Sequence, residues 1–185
     1  MNNYAYILAA LPSPEEVLSL CDASDARKLR FVMDGFEADK LDAGFYAEAL
    51  RSRSRFIREY FAYDRRVRNL KAQWLGETLG LDAQKDCIVF EGDENEFFDD
   101  EAQILEILRG KDILAREKAL DTLMWEKADE ITRLDVFSLD LVLAYIAKQM
   151  TVERWSKLDP EEGRRFLRKL VQDLRNTKIW QQQEQ

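Results

Sequence analysis

The residues with the clearest potential for binding chemistry are the bases of segment 51–71. This segment contains eight bases and two acids, so it carries a net charge of +6 in a chain of 185 residues whose formal net charge is −8. Arginine suits carboxylates and phosphates, because its planar guanidinium group donates two parallel hydrogen bonds. The bases that we predict to bind a partner are Arg51, Arg55, Arg58, Arg65, Arg66, Arg68 and Lys71.

The basic segment admits three interpretations. Its arginines could lie on a solvated helix face and pair within the chain with acids such as Glu48, Glu59 and segment 91–101. They could instead bind an acidic helix of another protein. They could also bind nucleic acid, with interleaved aromatic residues stacking on bases. The acidic remainder of the chain argues against this third interpretation, so we do not expect a nucleic-acid partner.

The composition restricts catalytic and cofactor chemistry. The chain has no histidine, which excludes imidazole-based triads and His-ligated zinc, and it matches neither GxGxxG nor GxxxxGK[ST]. Carboxylate pairs for glycoside hydrolysis stay available, but 36 acids offer such pairs at any spacing. We therefore predict a protein that is not an enzyme and needs no cofactor, with a carboxylate enzyme as the third class of function.

Segment 91–101 contains seven acids and no base, which is typical of a solvated loop. It does not fit a calcium-binding EF-hand. Phe97 and Phe98 stand where a ligand and a glycine are needed, and Ile104 stands at the position of the bidentate glutamate. We predict no metal site.

The cysteines and the first residues bear on the compartment. Cys21 and Cys87 are too far apart for a CxxC motif, which favours a reduced cytosol. The apolar stretch 4–11 is far shorter than the roughly 20 residues of a membrane span, and residues 1–3 lack the bases of a signal peptide. We expect a cytoplasmic protein that reaches the membrane only through partner proteins, without inserting itself.

The residues discussed above are predicted to lie on helices or in the loops between them. Ser13, Pro14 and Glu16 form a capping box that predicts a helix start, Gly35 predicts a helix end, and Asp112 predicts another start. Apolar residues spaced by three and four predict one long helix over 43–79. The four tryptophans Trp74, Trp125, Trp155 and Trp180 lie among aliphatic residues and are predicted to pack in the core.

These elements predict an all-α protein with at most a minor β-ribbon near 86–90. Two helical lobes are expected, an N-terminal lobe 1–90 and a C-terminal lobe 102–180. The long helix 43–79 would bridge them, the acidic loop 91–101 would separate them, and the tail 181–185 would fray.

Three groups of residues resemble a known pattern. They are Tyr63 and Asp64 followed by Asn69, Leu70 and Lys71; Glu117 to Asp121 followed by Trp125; and Tyr145 and Lys148 followed by Glu153, Arg154 and Trp155. Together with the opening residues 3–12, they resemble an uncharacterised bacterial family, a domain of unknown function. That family occurs with V-type ATP synthases and is similar to the C-type subunit of the V-type and archaeal-type enzymes, called d in the eukaryotic enzyme.

The resemblance implies a role without an active site. The C-type subunit is an all-helical socket that seats the central rotor shaft on the membrane ring, so this chain is expected to be a structural subunit of an ion-translocating ATPase complex. Its expected partners are the shaft and ring subunits. Asp64, Asn69, Trp125 and Trp155 would be structural. The alternative is a freestanding adaptor that binds acidic proteins or nucleic acid through the arginine-rich helix.

Overall fold

The computed structural model describes Tyr4, Ile7, Ala10 and residues 12–93 and 97–158, and it confirms the all-α fold. The predicted last helix, Trp180 and the tail 181–185 lie outside these residues. The helices are α1 (Pro14–Leu20), α2 (Ala23–Asp34), α3 (Ala43–Arg51), α4 (Arg55–Leu79), α5 (Glu101–Leu108), α6 (Ile113–Thr132) and α7 (Leu139–Ser156), with short 3-10 turns at Ala38–Lys40 and Gln84–Asp86.

The chain divides into two compact units, residues 1–150 and residues 151–185. The first unit contains α1 to α6 and most of α7, and it includes the acidic segment 91–93 and 97–101. The predicted pair of lobes on either side of residues 91–101 stays a prediction.

Local sequence signals set several helix ends as predicted. Ser13 caps α1 in a reciprocal capping box with Glu16, and Pro14 occupies the first turn. Asp112 caps α6 through the amides of Leu114 and Ala115. These side chains satisfy backbone donors that the first turn of a helix leaves without partners.

The prediction of one continuous helix over 43–79 is wrong. Residues 52–54 interrupt it, and the backbone of Ser52 is extended, with φ −60° and ψ 144°. Two serines stabilise the break: Ser52 Oγ accepts from the Ser54 amide at 3.2 Å, and Ser54 Oγ accepts from the Ile57 amide at 3.2 Å. Serine side chains compete with helical hydrogen bonds in this way, and apolar spacing alone does not reveal it.

The minor β-ribbon near 86–90 is absent, since the described residues contain no strand. Residues 87–90 bond to side chains instead of to a second strand. The Ile88 amide and carbonyl bond to Asn69, and the Phe90 amide donates to Asp93 at 2.7 Å. An extended segment without a partner strand is therefore held by polar side chains.

Helix α4 is the centre of the first unit and packs against α3, α5 and α6. One face of α4 is buried, and it consists of Phe56, Ile57, Tyr60, Phe61, Tyr63, Arg65, Val67 and Gly76. Each large apolar side chain buried in this way stabilises the fold by about 1.5–3 kcal/mol. This buried face fixes which of the bases of α4 reach solvent.

Candidate functional site: the basic segment and the cleft at its start

Arg65 lies on the buried face of α4, with 3% of its surface exposed. Its guanidinium group forms a bidentate ion pair with Asp93, in which one of the two hydrogen bonds measures 2.7 Å. It also donates to the Ile88 carbonyl at 3.0 Å. Its carbon Cζ lies 4.8 Å from the centre of the Phe90 ring. The hydrogen bond from Arg65 lowers the pKa of Asp93 from its ordinary value. Because Arg65 is buried and paired with Asp93, we do not propose it as a contact residue.

Other bases of α4 also bind acids of the same chain. Arg55 pairs with Asp135 at 3.0 Å and donates to the Ile131 carbonyl. Lys71 pairs with Glu117. These contacts fasten α4 to α6 and to the segment that follows it. The interpretation of intramolecular pairing therefore holds for these bases. Asp93, the partner of Arg65, lies in the predicted acidic segment 91–101, whereas Asp135 and Glu117 were not among the predicted acids.

Arg66 and Arg58 bond to backbone carbonyls. Arg66 donates to the Phe97 carbonyl at 3.3 Å, and its guanidinium carbon lies 5.3 Å from the centre of the Phe98 ring. Arg58 reaches back across the helix break and donates to the Ser52 carbonyl at 2.7 Å. Arg58 thus stabilises the junction of α3 and α4.

Asp64 and Asn69, the polar residues of the first motif, both make structural hydrogen bonds. Asp64 accepts from the buried Tyr46 hydroxyl at 2.6 Å and from Arg68 Nε at 2.8 Å. Burial and the nearby Asp64 carboxylate raise the pKa of Tyr46. Asn69 bonds to both backbone groups of Ile88, at 2.8 and 2.9 Å. The Tyr46–Asp64 hydrogen bond therefore joins α3 to α4, and Arg68 pairs with the same carboxylate from within α4.

The tryptophans differ from one another in their surroundings. Trp125 is 38% exposed, so core packing is wrong for this residue, and Lys148 Nζ lies 5.0 Å from its ring centre. Trp74 is partly buried, with the Arg116 guanidinium carbon 4.9 Å from its ring centre. Trp155 is partly buried in the part of α7 that belongs to the second unit.

Arg51 differs from the paired bases because it is exposed at the end of α3 and lines a cleft of about 240 Å³. Arg27 and Lys28 of α2 line the same cleft, together with the apolar Phe31 and Ile57. Sequence reasoning missed Arg27 and Lys28. They lie more than 20 positions before Arg51, and only the packing of α2 beside α3 brings them together. Arg27 and Arg51 therefore place exposed positive charge at this cleft, beside the start of the basic segment.

The described residues contain neither a cluster of metal ligands nor a membrane-spanning helix. In that part of the chain, no group of three or more Asp, Glu, Cys or His side chains is arranged to hold a metal ion. None of the helices there combines the length and the apolar character needed to cross a bilayer.

Comparison with known proteins gives one family. No curated protein and no solved structure matches the chain. Residues 83–178, slightly more than half of the chain, match a family described as proteins of unknown function, DUF2764. The matched stretch begins just before the segment that Asn69 holds and includes α5, α6 and α7. The predicted membership of an uncharacterised domain family is confirmed: the chain belongs to the DUF2764 family of proteins of unknown function.

Proposed function

We propose that this protein is a non-catalytic structural component of a V-type ATP synthase or ATPase, similar in role to the C-type subunit, and that it helps to couple the central rotor shaft to the membrane ring. The proposal extends the resemblance of the motif residues to function. It assigns the chain a role that depends on rigid contacts, with ATP hydrolysis and ion movement taking place on other subunits.

The main support for this proposal is that the motif residues Asp64 and Asn69 form hydrogen bonds that hold parts of the fold together. Asp64 binds Tyr46 and Arg68, and Asn69 holds the backbone of Ile88. Each polar group is used to hold one element to another, which is what a part that transmits force requires. The ion pairs of Arg55 and Arg65 have the same effect, because they link α4 to distant segments.

A freestanding adaptor for acidic proteins is the second candidate. The observation that favours it is the cleft beside Arg51, whose exposed bases need only an acidic partner and no rotor. The identity of the bound partner distinguishes the two candidates.

Co-purification tests the proposal. The tagged full chain is recovered from cells that contain a V-type ATPase, at low and at high salt, and the retained proteins are identified by mass spectrometry. We expect shaft and ring subunits at low salt and their loss at high salt, since the screening length falls from about 10 Å at 0.1 M to about 3 Å at 1 M.

The control is the variant Lys111→Glu, which reverses the charge of an exposed base just before α6 and outside the three motifs. It should retain the same subunits as the unmodified chain. Recovery of acidic proteins without any shaft or ring subunit would contradict the ATPase role and support the adaptor. Recovery of neither would contradict both.

A further inference from the structure

Two exposed arginines line the cleft between α2, α3 and the first turn of α4. Arg27 and Arg51 are exposed, and neither forms an ion pair or a hydrogen bond with any residue that the structure describes. Glu48 lines the same cleft without pairing with either. Lys28 is already paired with Asp25 at 3.4 Å. The lining therefore contains three bases and one acid, which is a local excess of positive charge in a chain with a net charge of −8.

The apolar side of the cleft is held rigidly. Phe31 stacks on Phe45 with ring centres 4.5 Å apart and meets the edge of Phe61 at 5.8 Å. Ile57 is buried in the first turn of α4. Gly35 lets these rings approach, because a Cβ at that position would come within 2.3 Å of Phe61. A surface that is already ordered loses little entropy when it binds.

The size and lining of the cleft define its occupant. Its volume of about 240 Å³ lies below the roughly 300–1,000 Å³ of common small-molecule sites, and it suits one or two side chains. The two guanidinium groups suit a carboxylate, and Phe31 and Ile57 suit an apolar group beside it. On a helix, residues three or four positions apart present two such groups side by side.

We infer that this cleft binds a helical segment of a partner protein through an aspartate or glutamate held by Arg27 and Arg51 and an apolar side chain placed against Phe31 and Ile57. The inference deepens the proposed function and rests on it for the identity of the partner. A nucleic-acid backbone fits less well, because it offers phosphates without an adjacent aliphatic group and is repelled by the net negative charge of the chain.

The test uses NMR titration of the full-length, isotope-labelled chain with short helix-forming peptides that carry glutamate and leucine four positions apart. We expect saturable binding, with shift changes concentrated at Arg27, Phe31 and Arg51. A matched peptide with glutamine in place of glutamate should bind at least about 10-fold more weakly, since a hydrogen bond to a charged group contributes about 1.5–3 kcal/mol. The double variant Arg27→Glu/Arg51→Glu should lose the binding.

Controls separate the outcomes. Lys111→Glu, which makes one charge reversal outside the cleft, should bind as the unmodified chain does, and circular dichroism should show that all variants keep their helices. Equal binding of both peptides, or no saturable binding up to about 1 mM, would overturn the inference. Shift changes of the same size with inorganic phosphate would also overturn it, in favour of a small-anion site.

The same double variant separates this inference from the proposed function. If shaft and ring subunits still co-purify with Arg27→Glu/Arg51→Glu, the ATPase role stands and the cleft is not its contact. If the acidic peptide binds the cleft but no ATPase component is ever recovered, the cleft stands and the ATPase role fails.

Discussion

Asn69 and Ile88 are joined by two hydrogen bonds, in which the Asn69 amide group donates to the Ile88 carbonyl at 2.8 Å and accepts from the Ile88 amide at 2.9 Å. The side chain of a helix residue thus takes the place of a neighbouring strand. It holds segment 87–90, near the start of the family match, against α4. The polar residue that the resemblance singled out therefore has a defined structural task.

Replacement of Asn69 by alanine should destabilise this contact. Asn69→Ala removes both bonds and leaves the two backbone groups of Ile88 without this partner, and we expect the free energy of unfolding to fall by about 2 kcal/mol. Urea denaturation measures the loss, and hydrogen exchange should show faster exchange of the Ile88 amide. Gln73→Ala, an exposed amide one turn further along α4, is the control and should change neither quantity. Unchanged exchange at Ile88 in Asn69→Ala would show that the two bonds do not hold the segment.

The Arg65–Asp93 ion pair should make stability depend on pH. The pKa of Asp93 is lowered in the folded protein by its hydrogen bond with Arg65, so the pair stabilises the fold above the unfolded pKa of about 3.9 and ceases to do so as the pH falls through the lower folded value. Asp93→Asn should cost about 3 kcal/mol near neutral pH, because it leaves a buried guanidinium group without its acid.

The measurement is urea unfolding of both proteins at several pH values. The difference in stability between the unmodified chain and Asp93→Asn should shrink progressively as the pH falls from about 4, where Asp93 of the unfolded chain takes up a proton, to the lower pKa that Asp93 has in the folded chain. A difference that stays constant from neutral to acid pH would contradict the assigned pairing.

The hydroxyl of Tyr46 should contribute measurably to the contact of α3 with α4. Tyr46 is buried and donates to Asp64 at 2.6 Å, so Tyr46→Phe removes one of the two side-chain hydrogen bonds that this carboxylate accepts within the described residues, the other being from Arg68. We expect a loss of about 1.5 kcal/mol, measured by thermal or urea unfolding. In an Asp64→Ala background the same substitution should cost much less, and an equal cost there would show that the two groups do not interact.

Gly76 should resist the substitution that usually stabilises a helix. Alanine in place of a mid-helix glycine normally adds up to about 1 kcal/mol, but a Cβ at Gly76 would lie 2.4 Å from the Ala83 Cβ and 3.0 Å from the Leu81 carbonyl oxygen. Gly76→Ala should therefore destabilise the protein by about 1–3 kcal/mol. Adding Ala83→Gly should recover part of the loss, as measured by urea unfolding. A stabilised single variant would show that the turn after α4 does not pack closely against it.

The sequence determined the helices and many of their ends. Ser13, Asp112 and Gly35 act through neighbours within a few positions, so their roles can be read without a structure. The break at residues 52–54 was missed because apolar spacing continues across it. Its serines are local signals, but Ser54 also donates to Asp140 at 2.6 Å, a residue 86 positions away.

Only the tertiary structure decided which bases are free to bind. The sequence placed Arg51, Arg55 and Arg65 in one basic run, yet the fold pairs Arg55 with Asp135, buries Arg65 against Asp93, and leaves Arg51 exposed beside Arg27. These partners are separated by 24 to 80 positions in the chain. The type of a residue determines its charge. Whether that charge is neutralised depends on which distant side chain the packing brings within a few ångströms.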